Sequence, residues 1–477
     1  MTRAPDLYLG ACSSPETPER IAPCRLPAHH LVTHGVVVGM TGSGKTGLLS
    51  VMVEEALYHH IPALIIDVKG DLPNLLLAFP DFSPTRLEPW VDPEPDESRG
   101  REELARSLAT ERAAGLRAWG IDEAELASFH DRIAVRVITP GSHAGEALHV
   151  LSCLERPTAD WNLDPTSARA SLAAAISLVL RLLGRDPDPA CSREHVLLSV
   201  LAERRLRQGL PSRLEDLLQD LADPPLEKIG ALAVDRFVSK RDRGNLAAAL
   251  NALLASPSFA AWREGAPLDI ESWLTPGADG RTAAVIVSVA HLDDEERMLV
   301  LGILLEETLT WMRKQSGCKR LRALLVFDEV YGFLPPHPAN PPTKRPLVAL
   351  MKQARAFGVG VLIATQNPMD LDYRALSNAG LWCVGRLQTD ADRARVIEGL
   401  SSSETVGADR AALSELTKNL EPRWFVLRDV HAQPATQLLQ PRWAMSFLRG
   451  PMTGREISRA LEQAQQNHGQ ATSGRPS

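Results

Sequence analysis

Apolar residues follow two rhythms along this chain: short unbroken runs, and longer stretches with apolar positions near i, i+3 and i+4. HGVVVG is a run of the first kind. TGLLSVMVEEALYHH is a stretch of the second, with Leu48, Leu49, Met52, Val53, Ala56 and Leu57 on the repeat and Pro62 marking its end. PALIIDVKGD and AVRVITPG (134–141) are further unbroken runs. Buried strands alternating with helices predict a parallel sheet covered on both faces, an α/β fold. The rhythm changes between about 155 and 265, where strand-like runs are few. DPTSARASLAAAISLVLRLLG reads as a helix capped by Asp164 with Pro165 in its first turn, and PSRLEDLLQDLADPP as one opened by a Ser212–Glu215 capping box. This region reads as a helical insertion.

The alternation then resumes with TAAVIVSVAHL, the helix EERMLVLGILLEETLTWMRKQ, the strand RALLVFDEV, the helix LVALMKQARAFG, and the strands VGVLIATQNP, LWCVGRL and RWFVLRDV. The expected organisation is a short N-terminal segment (1–34, rich in Pro, His and Cys), a first part of the core (35–154), the helical insertion (155–270), a second part of the core (271–450) and a polar tail (451–477). The last dozen residues are expected to be disordered.

Composition narrows the classes. With 477 residues, 44% apolar and 23% charged, the chain is an ordinary globular sequence too long for one small core. Its net charge of −7 provides no global basic field, so any nucleic-acid contact must come from a local patch. Six cysteines (12, 24, 153, 191, 318 and 383) lie scattered without a C-x-x-C pair, as in a reduced cytoplasmic protein. The opening MTRAPDLYLG has no secretory core, and SLAAAISLVL stops at Arg181, far short of a membrane span. The expectation is a cytoplasmic protein with no membrane contact.

The chemistry concentrates at strand ends. GMTGSGKT (39–46) fits G-x-x-x-x-G-K-[ST] between a strand and a helix. Gly39, Gly42, Ser43, Gly44 and Gly47 let backbone N–H groups face phosphates, with Lys45 on the β- and γ-phosphates and Thr46 on Mg²⁺. ALLVFDEV places Asp328 where it can orient Mg²⁺ and Glu329 where it can polarise the attacking water. Gln366 ends the strand VLIATQ as a candidate γ-phosphate sensor, and Asp67, Lys69 and Asp71 cluster after IID. Arg386, then Arg393 and Arg355, are candidates for the arginine that a neighbouring subunit contributes in ring ATPases. Basic clusters at Lys240, Arg241 and Arg243 and at Lys344 and Arg345 are candidate DNA contacts or merely solvated faces. No N-K-x-D motif is present, which argues against GTP, and LSNAG (376–380) is a poor copy of the ABC signature.

Taken in order, GMTGSGKT, IIDVKGDL, RVITPGS, VSVAHLDDEERM, LLVFDEVYGFLPP, KQARAFGVGVLIATQNPMDLDYRALSNAG and VGRLQTDADRARV resemble the HerA-type branch of the FtsK–HerA ATPases, from about residue 30 to 450. The resemblance implies a RecA-like P-loop NTPase core of the ASCE type. It also implies ATP and Mg²⁺ as cofactors, a homo-oligomeric, hexameric ring, and ATP-driven movement along double-stranded DNA, sometimes beside a partner nuclease. Thirty-four residues are too few for the N-terminal β-barrel of HerA proteins, which puts nuclease partnership in doubt. Relatives often continue beyond this chain's end, so a truncated or minimal member is expected. The rival readings are an ATPase that remodels or secretes protein, and a low-turnover regulatory nucleotide-binding protein.

Overall fold

A computed structural model describes residues 5–15, 17–92, 100–156, 160–387, 389–400 and 414–473. Eleven strands form one mixed sheet: β1 (Asp6–Ser14), β2 (Thr17–Pro27), β3 (Gly35–Val38), β4 (Ala63–Asp67), β5 (Ile133–Ile138), β6 (Thr282–Ser288), β7 (Ala323–Phe327), β8 (Val359–Thr365), β9 (Leu381–Val384), β10 (Phe425–Asp429) and β11 (Thr436–Pro441). Their spatial order is β2-β1-β11-β10-β9-β3-β8-β7-β4-β6-β5. From β9 to β5 every pairing is parallel, with Leu362 and Leu381 both opposite Gly35 across β3. The remaining four strands extend the sheet antiparallel.

The parallel strands divide their side chains between two apolar layers. Val36, Val38, Leu64, Ile66, Leu325, Phe327, Val361 and Ile363 face one; Val37, Ala63, Ile65, Leu324, Val326, Leu362 and Ala364 face the other. This is the period of two expected of a pleated strand buried on both sides, and it explains why the runs are apolar throughout. The second layer is closed by α1 (Lys45–Tyr58), α2 (Arg101–Ala118) and α3 (Glu123–Arg132). The first is closed by α4 (Pro165–Leu182), α5 (Arg193–Arg207), α6 (Leu214–Ala222), α7 (Lys240–Ala255), α8 (Asp294–Lys314) and α9 (Lys344–Gln353), in one cluster continuous with the sheet. The helices between 165 and 255 therefore share the sheet's core and do not form one of their own.

Some local expectations meet a different structure. Asp164 caps α4 by accepting from Ser167 N–H. At α6, however, Ser212 donates its hydroxyl to Leu154 O at 2.8 Å, and Asp216 accepts from Arg213 N–H, so capping starts one residue later than Ser212–Glu215. Residues 1–34 contribute two strands of the sheet and are not merely a leading segment. Within 451–477, residues Gly454–Ser473 form helix α11, after α10 (Asp390–Leu400); residues 474–477, the end of the expected disordered dozen, lie outside the described residues. Among the described residues no helix is long and apolar enough to cross a membrane.

Candidate nucleotide site

β3 ends at Val38 and the chain turns through residues 39–44 into α1. Gly42 and Gly44 hold φ of +78° and +94°, a region that glycine enters without steric cost. At Gly44 a Cβ would also lie 3.2 Å from the Arg423 backbone. The loop hangs from neighbouring strand ends: Gly39 N–H donates to Thr365 O at 3.3 Å and Met40 N–H to Arg386 O at 3.0 Å. Lys45 is buried, its Nζ donating to Gly39 O at 2.5 Å and Met40 O at 3.0 Å. Burial pulls Lys45 down to about 8, against the pull of Glu329 and Asp328. Ser43 Oγ is buried inside the loop without a partner among the described residues.

Four strands adjacent in the order β3-β8-β7-β4 bring the remaining polar groups to the same C-terminal edge, where open α/β sheets bind ligands. Asp67, at the tip of β4, is buried and accepts from Gly70 N–H at 3.0 Å and Ser288 Oγ–H at 2.9 Å; burial raises it to about 6. Asp328 is 3% exposed, and burial, then the neighbouring Asp67 charge, pushes it up to about 7. Its Oδ2 has no hydrogen-bond partner among the described residues. A buried carboxylate oxygen beside the phosphate loop with nothing bound to it fits a hard cation such as Mg²⁺, which takes oxygen ligands. Thr46 is half-buried in the first turn of α1, and its hydroxyl is an oxygen of the kind Mg²⁺ takes.

Glu329 sits at φ +57°, strained for a non-glycine residue, and both its oxygens are engaged. Oε1 accepts from Gln366 N–H at 3.1 Å; Oε2 accepts from Gln366 Nε2 at 2.7 Å and from Lys69 Nζ at 2.5 Å. Thr41, in the phosphate loop, donates to Gln366 Oε1 at 2.5 Å. Burial pushes Glu329 up, but Lys69 and Gln366 outweigh it and hold the carboxyl below its ordinary range. A polar chain thus runs from the phosphate loop through Gln366 to Glu329 and Lys69.

Arg386 is exposed beside its own chain's phosphate loop, its Nε 3.4 Å from Met40 Sδ. Arg393 is buried, donating to Leu387 O and paired with Asp390, and Arg355 lies at the opposite end of β8. The basic clusters are largely consumed internally. Lys344 pairs with Asp372 at 3.2 Å, Arg345 with Glu306 at 2.6 Å and Arg243 with Asp235 at 2.7 Å.

Sequence reasoning missed a cavity of about 400 Å³ that opens at Gly44 and Gly47 and is walled by Trp119, Arg423, Trp443 and Phe447. Arg423 N–H donates to Ser43 O at 3.1 Å, and its guanidinium stacks 5.7 Å from the centre of the Trp443 ring. Trp443 reaches the cavity because α2 has a glycine beneath it: a Cβ on Gly115 would meet the indole at 2.4 Å. The segment bearing Trp443 is fixed to α1 by a fully buried Arg442, which donates to Glu54 at 3.0 Å and to Glu55 at 2.9 Å. Glu54 also accepts from Met445 and Ser446 N–H. The aromatic residues of PRWAMSF were the available signal.

Residues 18–132, which hold the phosphate loop, Asp67 and Lys69, match the family described as Helicase HerA, central domain. Glu329, Gln366 and the cavity wall at Arg423, Trp443 and Phe447 come from outside the matched segment, on strands and loops that fold back against it. No curated protein sequence matches the chain. Among solved structures, VirB4 of Thermoanaerobacter pseudethanolicus is similar over 93% of this chain and 97% of that one, with 12% identity and a TM-score of 0.50. The plasmid coupling protein TrwB, solved with the ATP analogue ADPNP, is similar over 95% and 93%, with 13% identity and a TM-score of 0.46. The fold around the matched segment is that of a P-loop NTPase, and the residues at its phosphate loop fit ATP and Mg²⁺.

Proposed function

We propose that this protein is an ATP-hydrolysing ring motor that moves along double-stranded DNA. The observation that carries the reading is the Thr41–Gln366–Glu329 chain, which joins the phosphate loop to the carboxylate best placed to polarise water. In this reading the N–H groups of residues 39–47 and Lys45 hold the phosphates, while Thr46 and Asp328 hold Mg²⁺. Bound there, the metal neutralises charge on the β- and γ-phosphates. Glu329 takes the water's proton, Gln366 reports on the γ-phosphate, and Arg386 at the rim neutralises charge in a hexameric ring. The cavity at Trp443 and Arg423, contiguous with Gly47, holds the base.

The HerA-type match supports DNA as the object moved. The test is ATP turnover with and without duplex DNA, alongside a native mass. Stimulation by duplex that fades with salt, and a mass of several subunits, are expected. A strict monomer indifferent to DNA overturns the motor reading, and turnover raised only by a protein partner replaces it with a protein-remodelling ATPase.

A further inference from the structure

Three cations without an ion pair among the described residues gather at the other end of the sheet. A groove of about 1150 Å³ lies where β3, β8 and β7 begin, lined by His29, His30, Lys319, Lys352, Arg355 and His431 among others, and no Asp or Glu lines it. Lys319, Lys352 and Arg355 are exposed, and none has a carboxylate within ion-pair distance among the described residues. The acid nearest the groove, Asp429, is 4% exposed and engaged by His30 Nδ1 at 2.6 Å and His431 N–H at 2.9 Å. The groove is therefore a concentrated positive field on a chain whose net charge is −7. Among the described residues no cluster of three or more His, Cys, Asp or Glu is placed to hold a metal.

We infer that this groove grips the phosphate backbone of duplex DNA. The inference rests on the motor reading above and names the surface through which the DNA is held. Concave shape and long unpaired cations suit a phosphate backbone. An anionic membrane would call for apolar side chains to insert, and among the described residues Val430 is the one large exposed hydrophobic adjoining the lining residues. Single strands would call for exposed aromatic platforms, whereas Phe357, the groove's aromatic carbocycle, is half-buried.

The location also accounts for transmission. His34, just before β3, accepts from Val361 N–H at 3.2 Å and so ties β3 to β8 at the groove end. The same two strands are tied at their far ends by Gly39 N–H and Thr365 O. Seven residues of β8 at about 3.3 Å each place the groove roughly 23 Å from Gln366. A tug on one end of this rigid pair is felt at the other.

The experiment is fluorescence anisotropy of a labelled 30-bp duplex over increasing NaCl with the full chain, K319Q/K352Q, and the insertion control K228Q. Each lost phosphate contact lowers the slope of log K against log salt by about 0.9, so the double variant should lose about 1.8, with duplex-stimulated turnover falling in step. Turnover without DNA and the melting temperature should stay as in the parent. K319E/K352E should weaken binding further, and K228Q should match the parent. Parent-like slopes in both double variants, while the parent binds duplex, overturn the groove assignment. Loss of binding to phosphatidylserine vesicles but not to duplex also overturns it, in favour of a membrane surface. A parent that fails to bind duplex even at low salt sinks the motor reading itself.

Discussion

Asp328→Asn should make the ligand-free protein more stable at pH 8 and leave it unchanged at low pH. The carboxyl is raised from an ordinary 3.8 to about 7, by burial first and by the Asp67 charge second. A raised acid favours the folded state while protonated. Its contribution is complete below about pH 4 and is lost as pH rises through about 7. At about 1.36 kcal/mol for each factor of ten in proton affinity, holding the bare carboxylate folded at pH 8 costs on the order of 4 kcal/mol. Part of that belongs to the pair with Asp67, so about 2–4 kcal/mol is the working range. With an unfolding entropy of about 2.1 cal/mol/K per residue, a chain of 477 residues should gain about 2–4 °C in melting temperature. Saturating Mg-ATP narrows the difference. At one hundred times its Kd it stabilises the parent by about 2.7 kcal/mol, and the variant, lacking the metal-holding oxygen, should gain much less. Thermal melts at pH 5 and pH 8 measure both. A variant no more stable than the parent at pH 8, or equally stabilised at pH 5, refutes the reasoning.

Glu329→Gln should cut single-turnover hydrolysis by at least 100-fold while ATP still binds, since it removes the proton acceptor and keeps the shape; normal turnover would reassign the base. Lys69→Met removes the ammonium that holds the Glu329 carboxyl down, so the acid limb of the kcat–pH profile should move to higher pH. An unmoved limb would show that the pair does not control the base. Trp443→Ala should weaken binding of a fluorescent ATP by about 10-fold or more, as loss of one aromatic stacking partner does, with kcat nearly kept. Equal loss for inorganic triphosphate would place the indole on the phosphates and not the base. Arg442→Met leaves Glu54 and Glu55 buried without their cation and should cost about 3–5 kcal/mol, read as a drop of several degrees in melting temperature.

The parallel strands and the phosphate loop were legible because burial on both faces leaves no polar position to break the run, and because Gly42 and Gly44 need a backbone few other residues adopt. The antiparallel extension was harder. In β1 the alternation Leu7, Leu9, Ala11, Ser13 is buried on one face only, and its partner β2 carries prolines and charges as an edge strand does. Proline and histidine content hid that alternation. The pairing of the second basic cluster was hidden because its acids are remote in sequence: Lys344 and Arg345 fold against Asp372 and Glu306. The groove's cations come from segments far apart in sequence, 319 and 352–355, so no run announces them. Trp443 likewise joins the nucleotide site from nearly 400 residues past Gly47, a proximity only the folded sheet creates.

Which part of the site moves during a cycle follows from comparing its two sets of ion pairs. Arg442 with Glu54 and Glu55 is wholly enclosed, and separating it strands buried charge at about 3–5 kcal/mol. That fixes α1 to the wall bearing Trp443, so base and phosphate loop form one rigid body. Lys69 is 36% exposed where it meets Glu329, and such pairs are worth at most about 1 kcal/mol. Thr41 and Gln366 bond one another beside the phosphate loop, and in the proposed reading that bond is exchanged for bonds to a γ-phosphate at little net cost. In the function proposed above, binding loosens the Lys69–Glu329–Gln366 link first, which frees the Glu329 carboxylate for water when the substrate arrives. Because Gln366 terminates β8, whose other end borders the cationic groove, that same exchange is the step that can reach the far face of the sheet.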